Sequence, residues 1–533
     1  MCGNGPPLGP IAPRTTADTR NDSQATWRRV DCAFASPPPR PAGRVRLATI
    51  RAMGTLSISR AISYHAAERP HDPALTCDDT TRSWSELDRR TNRLARAYAD
   101  LGVVADDLVT IALPNSTDFF EAAIAVWKLG ATPQPVSAKL PGRELEEIVD
   151  LADSKLVVGV GTGRIPHRAC VPTGFEPDAA VDDGPLPDAV ATHWKAPTSG
   201  GSTGRPKIIL AATPGVFDVD NAGFFIPARS VCVVPGVLYH NAPFSLSTLA
   251  LVAGNHVVNF SRFVPEDVLD AITEHRPTYL YLVPTMMNRI WKLPDEVRAR
   301  TDTSSLRIVV HMAAPCPAWL KEEWIGWVGP DVLCELYAGT EVQAATWITG
   351  REWLEHRGSV GKPVSGKMKV VGDDGQELPP GEIGEIYMLA PGGRGSTYRY
   401  LGAEARQLGD SEWESIGDLG WIDEDGYVYL ADRRKDLILR GGANVYPAEV
   451  EAALDAHPAV RSCAVVGIPD DDLGQRIHAI IDAPDGAAEA ELRAHMKDHL
   501  VSYKCPDSYE FVDEPVRDDA GKVRRSLLAA ERS

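Results

Sequence analysis

Apolar residues fall into two rhythms along this chain. Ser83 and Glu86 have the spacing of a capping box, and after them Leu87, Leu94 and Tyr98 share one helical face until Gly102. Residues 108–113, apolar except for Thr110, predict a buried strand. Helices over 119–129 and 143–151 follow, the first stopped by Gly130, and a strand is predicted over 156–160. The alternation returns at 231–235, 279–284 and 307–311. Strands and helices in turn predict mostly parallel sheets covered by helices. Beyond Gly358 the pattern shortens. Brief strands broken by turns such as Asp373-Asp374-Gly375 and Asp423-Glu424-Asp425-Gly426 predict antiparallel pairing. After about residue 436 a small α+β unit begins, with helices over 448–457 and 489–500 and strands over 462–466 and 477–481.

Composition sharpens this outline at both ends. Residues 1–52, with Pro37-Pro38-Pro39, Pro41 and few large apolar residues, have the texture of a disordered leader and lack a signal peptide's apolar segment. Residues 171–192 are rich in Pro, Asp and Ala and read as a surface linker. The expected fold class is α/β. A large domain over 53–434 combines mostly parallel sheets, helices and a small barrel-like β part, and a small α+β domain spans 435–533.

Overall charge removes two classes of partner. With 55 basic and 73 acidic residues the net charge is −18, unsuited to duplex nucleic acid or anionic lipid. No apolar run approaches the length of a membrane span. The cysteine count is nine, an odd number, without Cys-x-x-Cys, so neither a disulfide framework nor a zinc site is indicated. A reduced, cytoplasmic protein is the expectation.

Candidate chemistry centres on Thr198-Ser199-Gly200-Gly201-Ser202-Thr203-Gly204-Arg205-Pro206-Lys207. Glycines let backbone N–H groups close on a ligand, while Ser199, Ser202 and Thr203 add hydroxyls and Arg205 and Lys207 add charge. The stretch suits a polyphosphate and fits neither a core strand nor an amphipathic helix. It is not a Walker A loop, because Arg205-Pro206 separates glycine from lysine. Four further stations follow. Tyr337-Ala338-Gly339-Thr340-Glu341 sets an aromatic, a hydroxyl and a carboxylate within short reach, downstream of Ala313-Ala314-Pro315. Asp418 can accept from both hydroxyls of a ribose or simply cap a turn, and Arg433 can support that grip or belong to a solvated face. Gly441 and Gly442 let backbone pass a narrow ligand arm or simply turn, and Pro447 opens a helix whose first turns carry Glu449 and Glu451, as its dipole favours. Lys522, in Asp519-Ala-Gly-Lys522-Val-Arg524, is by itself an ordinary surface lysine. His240, in Tyr239-His240-Asn241, is a site residue or a cap, and His311 is left to packing.

These five motifs, in this order, resemble those of the adenylate-forming superfamily, most like a bacterial acyl-CoA synthetase. The resemblance covers all but the leader. It implies an AMP-forming acid ligase that turns a carboxylic acid and ATP into an acyl-adenylate and then acylates CoA; transfer to an amine or amino acid is the alternative, and a non-catalytic nucleotide-binding scaffold the third. It implies Lys522, Thr340, Glu341 and His240 as catalytic, with Mg²⁺ on Glu341. Nucleotide contacts would come from residues 198–204, Lys207, Ala313, Ala314, Pro315, Tyr337, Asp418 and Arg433, and Gly441 and Gly442 would flank the pantetheine arm. Lys435 falls at the hinge of the rotating C-terminal domain. Three departures are visible: Ala338 follows the tyrosine, Asp432 replaces a glycine, and Val516-Arg517 alters the lead-in to the lysine. Phe244, Leu246, Met286, Met287, Trp291 and Trp347 fit an apolar acid pocket or plain core equally.

Overall fold

Residues 54–200, 206–470, 472–518 and 521–532 are described by the structure, a computed structural model. The leader 1–52 and residues 201–205, with the candidate residues Gly201, Ser202, Thr203 and Gly204, lie outside the described residues, as does the side chain of Ser199.

Capping and burial explain the first helices. Ser83 and Glu86 form the reciprocal capping box, and the helix Trp84–Asp100 buries Leu87, Leu94 and Tyr98 as the pattern predicts. The helix Thr117–Lys128 is buried on nearly every side, because it lies in the interior of the main core. Six strands run parallel in one sheet, in the spatial order Pro73–Cys77, His256–Asn259, Val231–Val233, Tyr279–Leu282, Ile308–His311 and Leu333–Ala338. A second parallel sheet holds Thr132–Pro135, Leu108–Ile111, Leu156–Val158 and Ala169–Val171. Beyond Ala345–Thr349 the large sheet becomes antiparallel, and its short strands close over a separate small core of Val370, Ile386, Met388 and Val428.

The ends of the glycine-rich stretch are strands: Thr198–Gly200 pairs with Pro206–Ala211, which pairs in turn with Tyr398–Leu401. Backbone hydrogen bonding at a sheet edge needs no apolar side chain, so polarity did not forbid a strand here. At the C-terminal end a five-stranded sheet carries its own core of Ile438, Val450, Leu454, Val465, Ile477, Leu492 and Met496. Phe244, Leu246, Met286 and Met287 are packed in the main core, with Trp291 and Trp347 partly buried against it.

Buried lysines separate into two kinds. Lys128 donates to Asp88 at 2.6 Å and Asn92 at 2.5 Å, and Lys321 pairs with Glu335. Lys195 has no such carboxylate among the described residues. Its ammonium donates to Asn241 Oδ1 at 2.5 Å and Ser245 Oγ at 2.8 Å and lies 4.4 Å from the Trp194 ring centre. Burial alone pushes its pKa down to about 7. An unfolded lysine titrates near about 10.4. Below pH 7 both states carry the proton and the full burial penalty stands. As pH rises from about 7 to about 10 the folded chain loses the proton first, and the penalty fades. Lys195→Met should therefore remove a rise in stability across that window, while Ser245 keeps its 3.2 Å bond to Asn241. Thermal unfolding of both proteins over pH 7–10 checks this; parallel profiles would refute it.

Candidate active site

Parallel strands deliver the candidate residues to one edge. His311 pairs with Glu335, so Ala313–Pro315 and Tyr337–Glu341 leave the carboxyl ends of neighbouring strands. Ligands of open α/β sheets bind at such ends. Ala313 has φ 77°, a left-handed conformation that a small side chain tolerates best, and it is exposed.

Glu341 and Lys207 meet across this edge. Lys207 faces Ser199 in the strand register, and its ammonium lies 3.3 Å from Glu341 Oε1. Tyr400 completes the group: its hydroxyl donates to Glu341 Oε1 at 2.5 Å, accepts from Lys207 at 3.0 Å, and its ring lies 4.1 Å beneath that ammonium. Tyr400 belongs to no motif in the sequence. Only the pairing of Tyr398–Leu401 with Pro206–Ala211 brings it here. Gly339 makes room for the carboxylate, since a Cβ there would stand 3.0 Å from Glu341 Oε2 and 3.1 Å from Ile416. Thr340, half-buried, sits between the two.

Asp418 is bracketed by two donors. The Tyr337 hydroxyl donates to Oδ2 at 2.7 Å, and Arg433, its cross-strand partner, lies 3.2 Å from Oδ1. Burial and then the Asp418 charge push the Tyr337 hydroxyl well above its ordinary value. That same carboxylate raises the Arg433 guanidinium.

Lys522 arrives from the C-terminal sheet's side. Asp518 shapes its turn, accepting from the Gly521 and Lys522 N–H groups at 2.8 Å each. Gly521 has φ 73°, and a Cβ there would meet Thr285 Oγ1 at 2.6 Å. The Lys522 ammonium stands 3.4 Å from His240 Nδ1. Burial pushes the imidazole down to about 3, with a further lowering from Lys522, so the ring is neutral at ordinary pH. Its Nδ1 then accepts from the ammonium and its Nε2 carries the proton. That Nε2 has no hydrogen-bond partner among the described residues; Asp518 Oδ2 is 3.9 Å away. The cleft lowers the pKa of Lys522, through desolvation first and Arg433 as well, while Asp518 and Glu341 pull it back up.

One cluster thus contains Lys207, His240, Tyr337, Glu341, Asp418, Arg433 and Lys522. Gly441 and Gly442 stand apart as the exposed turn between Ile438–Arg440 and Ala443–Val445. Both have positive φ, 56° and 82°, as a two-residue hairpin turn requires. Among the described residues no group of three or more His, Cys, Asp or Glu can hold an ion alone. A divalent cation here would need phosphate oxygens beside the one carboxylate of Glu341, whose bonds to Lys207 and Tyr400 both fall on Oε1. No described helix is long and apolar enough to cross a membrane.

Comparison with known proteins agrees with this geometry. The AMP-binding enzyme family profile matches residues 62–398, and that of the AMP-binding enzyme C-terminal domain matches residues 449–522. A feruloyl-CoA synthase from Amycolatopsis sp. is 32% identical over 478 residues, 85% of this chain and 94% of that protein. The o-succinylbenzoate coenzyme A synthetase of Bacillus subtilis, solved with ATP and magnesium ion, superposes with a TM-score of 0.75 at 26% identity, covering 89% of this chain and 99% of that one. The amide bond synthetase McbA from Marinactinospora thermotolerans superposes at 0.72 with 25% identity, covering 90% and 100%. Motif order, strand-end cluster and family match converge: the chain belongs to the AMP-binding enzyme family, the adenylate-forming ligases that the sequence resembles.

Proposed function

We propose that the protein activates a carboxylic acid with ATP and passes the acyl group to coenzyme A. In the first step the substrate carboxylate attacks the α-phosphorus of ATP, forming acyl-adenylate and releasing pyrophosphate. In the second the CoA thiol attacks the acyl carbon, its proton is lost, and AMP departs. A carboxylate oxygen alone is a poor leaving group, whereas AMP leaves readily.

The observation carrying this reading is the Lys522 ammonium beside His240, in a cluster with Glu341 and Lys207. Two anions must meet in the first step. Lys522 offsets their repulsion and stabilises the charge that develops during in-line displacement. Lys207 and residues 198–204 hold the triphosphate, and Asp418 with Arg433 grips the ribose. Neutral His240 offers its unpartnered Nε2–H to the substrate carboxylate. Mg²⁺ on Glu341 would supply charge neutralisation of the phosphates. Residues 435–533 then rotate about Lys435 as a lid, withdrawing Lys522 and presenting Gly441 and Gly442 to the pantetheine arm. Seven free cysteines among the described residues support a reducing, cytoplasmic setting.

Similarity to an amide bond synthetase favours one second reading, in which an amine takes the acyl group instead of the thiol. A panel of fatty, aromatic, alicyclic and steroid acids with ATP and Mg²⁺, plus CoA or amino acids, separates the two by mass spectrometry. A thioester is expected. Amide alone would select the second reading, and absence of pyrophosphate with every acid would favour a scaffold. Lys522→Ala should slow adenylation on the order of 10²-fold or more while sparing thioester formation from preformed adenylate. Equal loss in both steps would remove the rotation. His240→Phe should lower adenylation about 10-fold. Because the imidazole stays neutral down to about pH 3, the wild-type rate should show no inflection from His240 between pH 5 and 8; a limb there that vanishes in His240→Phe would contradict this role.

A further inference from the structure

Both ends of the segment that carries Lys522 are fastened to one buried carboxylate. Glu451, 3% exposed, lies on the helix Pro447–Asp455. Arg517 donates to its Oε2 at 2.5 Å, and Arg525 donates to Oε2 at 2.7 Å and Oε1 at 2.9 Å. The Val465 N–H adds a bond to Oε1 at 2.8 Å. Arg517 also reaches the carbonyls of Cys463 at 3.0 Å and of Gly521, the residue before Lys522, at 3.1 Å. The remaining arm of Arg525 donates to Asp436 at 3.2 Å, in the turn Arg434–Asp436. Asp432, just upstream, accepts from the Ala448 N–H at the start of the Glu451 helix at 2.8 Å.

Burying a carboxylate with two guanidiniums is a poor way to stabilise a fold, since apolar packing of the same volume does as well or better. This unit already has an apolar core. What the ion cluster adds is direction: bidentate, planar bonds fix the angle at which a chain leaves its anchor. Here both ends of the segment that carries Lys522 are tied to the same carboxylate. Reaction rates are sensitive to such placement, a 1 Å error being worth on the order of 10²-fold.

We propose that Glu451 is a positioning residue for Lys522, clamping Arg517 and Arg525 so that the ammonium is presented at one fixed place. The Arg525–Asp436 bond extends the clamp to the segment about which the C-terminal unit turns. This rests on the reading of Lys522 as the adenylation lysine.

Glu451→Gln tests it, with Lys522→Ala and the double variant, using the panel acid that gives the fastest exchange. Acid-dependent ATP–pyrophosphate exchange should fall about 10-fold or more, while CoA thioester formation from the purified adenylate stays within about 3-fold. The double variant should be no slower in exchange than Lys522→Ala alone, because a clamp has no value without the group it holds. Equal losses in both steps, unchanged exchange, or losses that multiply in the double variant would overturn the proposal. Unchanged exchange in Lys522→Ala would instead overturn the role of Lys522. If Glu451→Gln does not fold, Arg525→Lys keeps the charge and removes the two-pronged grip. It should show the same split at about 5-fold, and a uniform loss would count against the clamp.

Discussion

An ammonium at the end of a long side chain has to be brought to a neutral imidazole and kept there against other positive charge. Lys522 and His240 stand in that relation, 3.4 Å apart. The imidazole can accept from the ammonium only because burial keeps it unprotonated. The ammonium in turn stands with Arg433, which repels it, and with Asp518 and Glu341, which hold it. Remove either carboxylate and the balance tips toward losing the proton on which the charge depends.

Opposite charges are interleaved across the whole cleft. Lys207 is set against Glu341, and Arg433 against Asp418, each carboxylate also taking a phenol hydroxyl from Tyr400 or Tyr337. Such pairing lets cations converge in one cleft without repelling one another apart. Each carboxylate is thereby held in a fixed orientation by a phenol and a cation.

Much of this was legible in the sequence because it is local. The capping box at Ser83, the helix over the Thr117–Lys128 region and the strands that lead to Ala313 and Tyr337 are set by nearest-neighbour patterning. Other parts depend on contacts between distant segments. Tyr400 enters the site through strand pairing with a segment nearly two hundred residues earlier. Glu451 fits a helix start on dipole grounds, but its side chain turns inward to two arginines. Arg517, a departure from the expected lead-in, is one arm of that cluster. Residues 198–200 form an edge strand and 206–207 open the middle strand of the same sheet, a form decided by backbone pairing and not by apolar side chains.

Gly521 and Thr285 touch with no room to spare. Thr285 lies in the first turn of the helix Pro284–Trp291. The fit leaves no slack: bare backbone seats against a hydroxyl, so any side chain at position 521 would displace either the turn that carries Lys522 or the start of that helix.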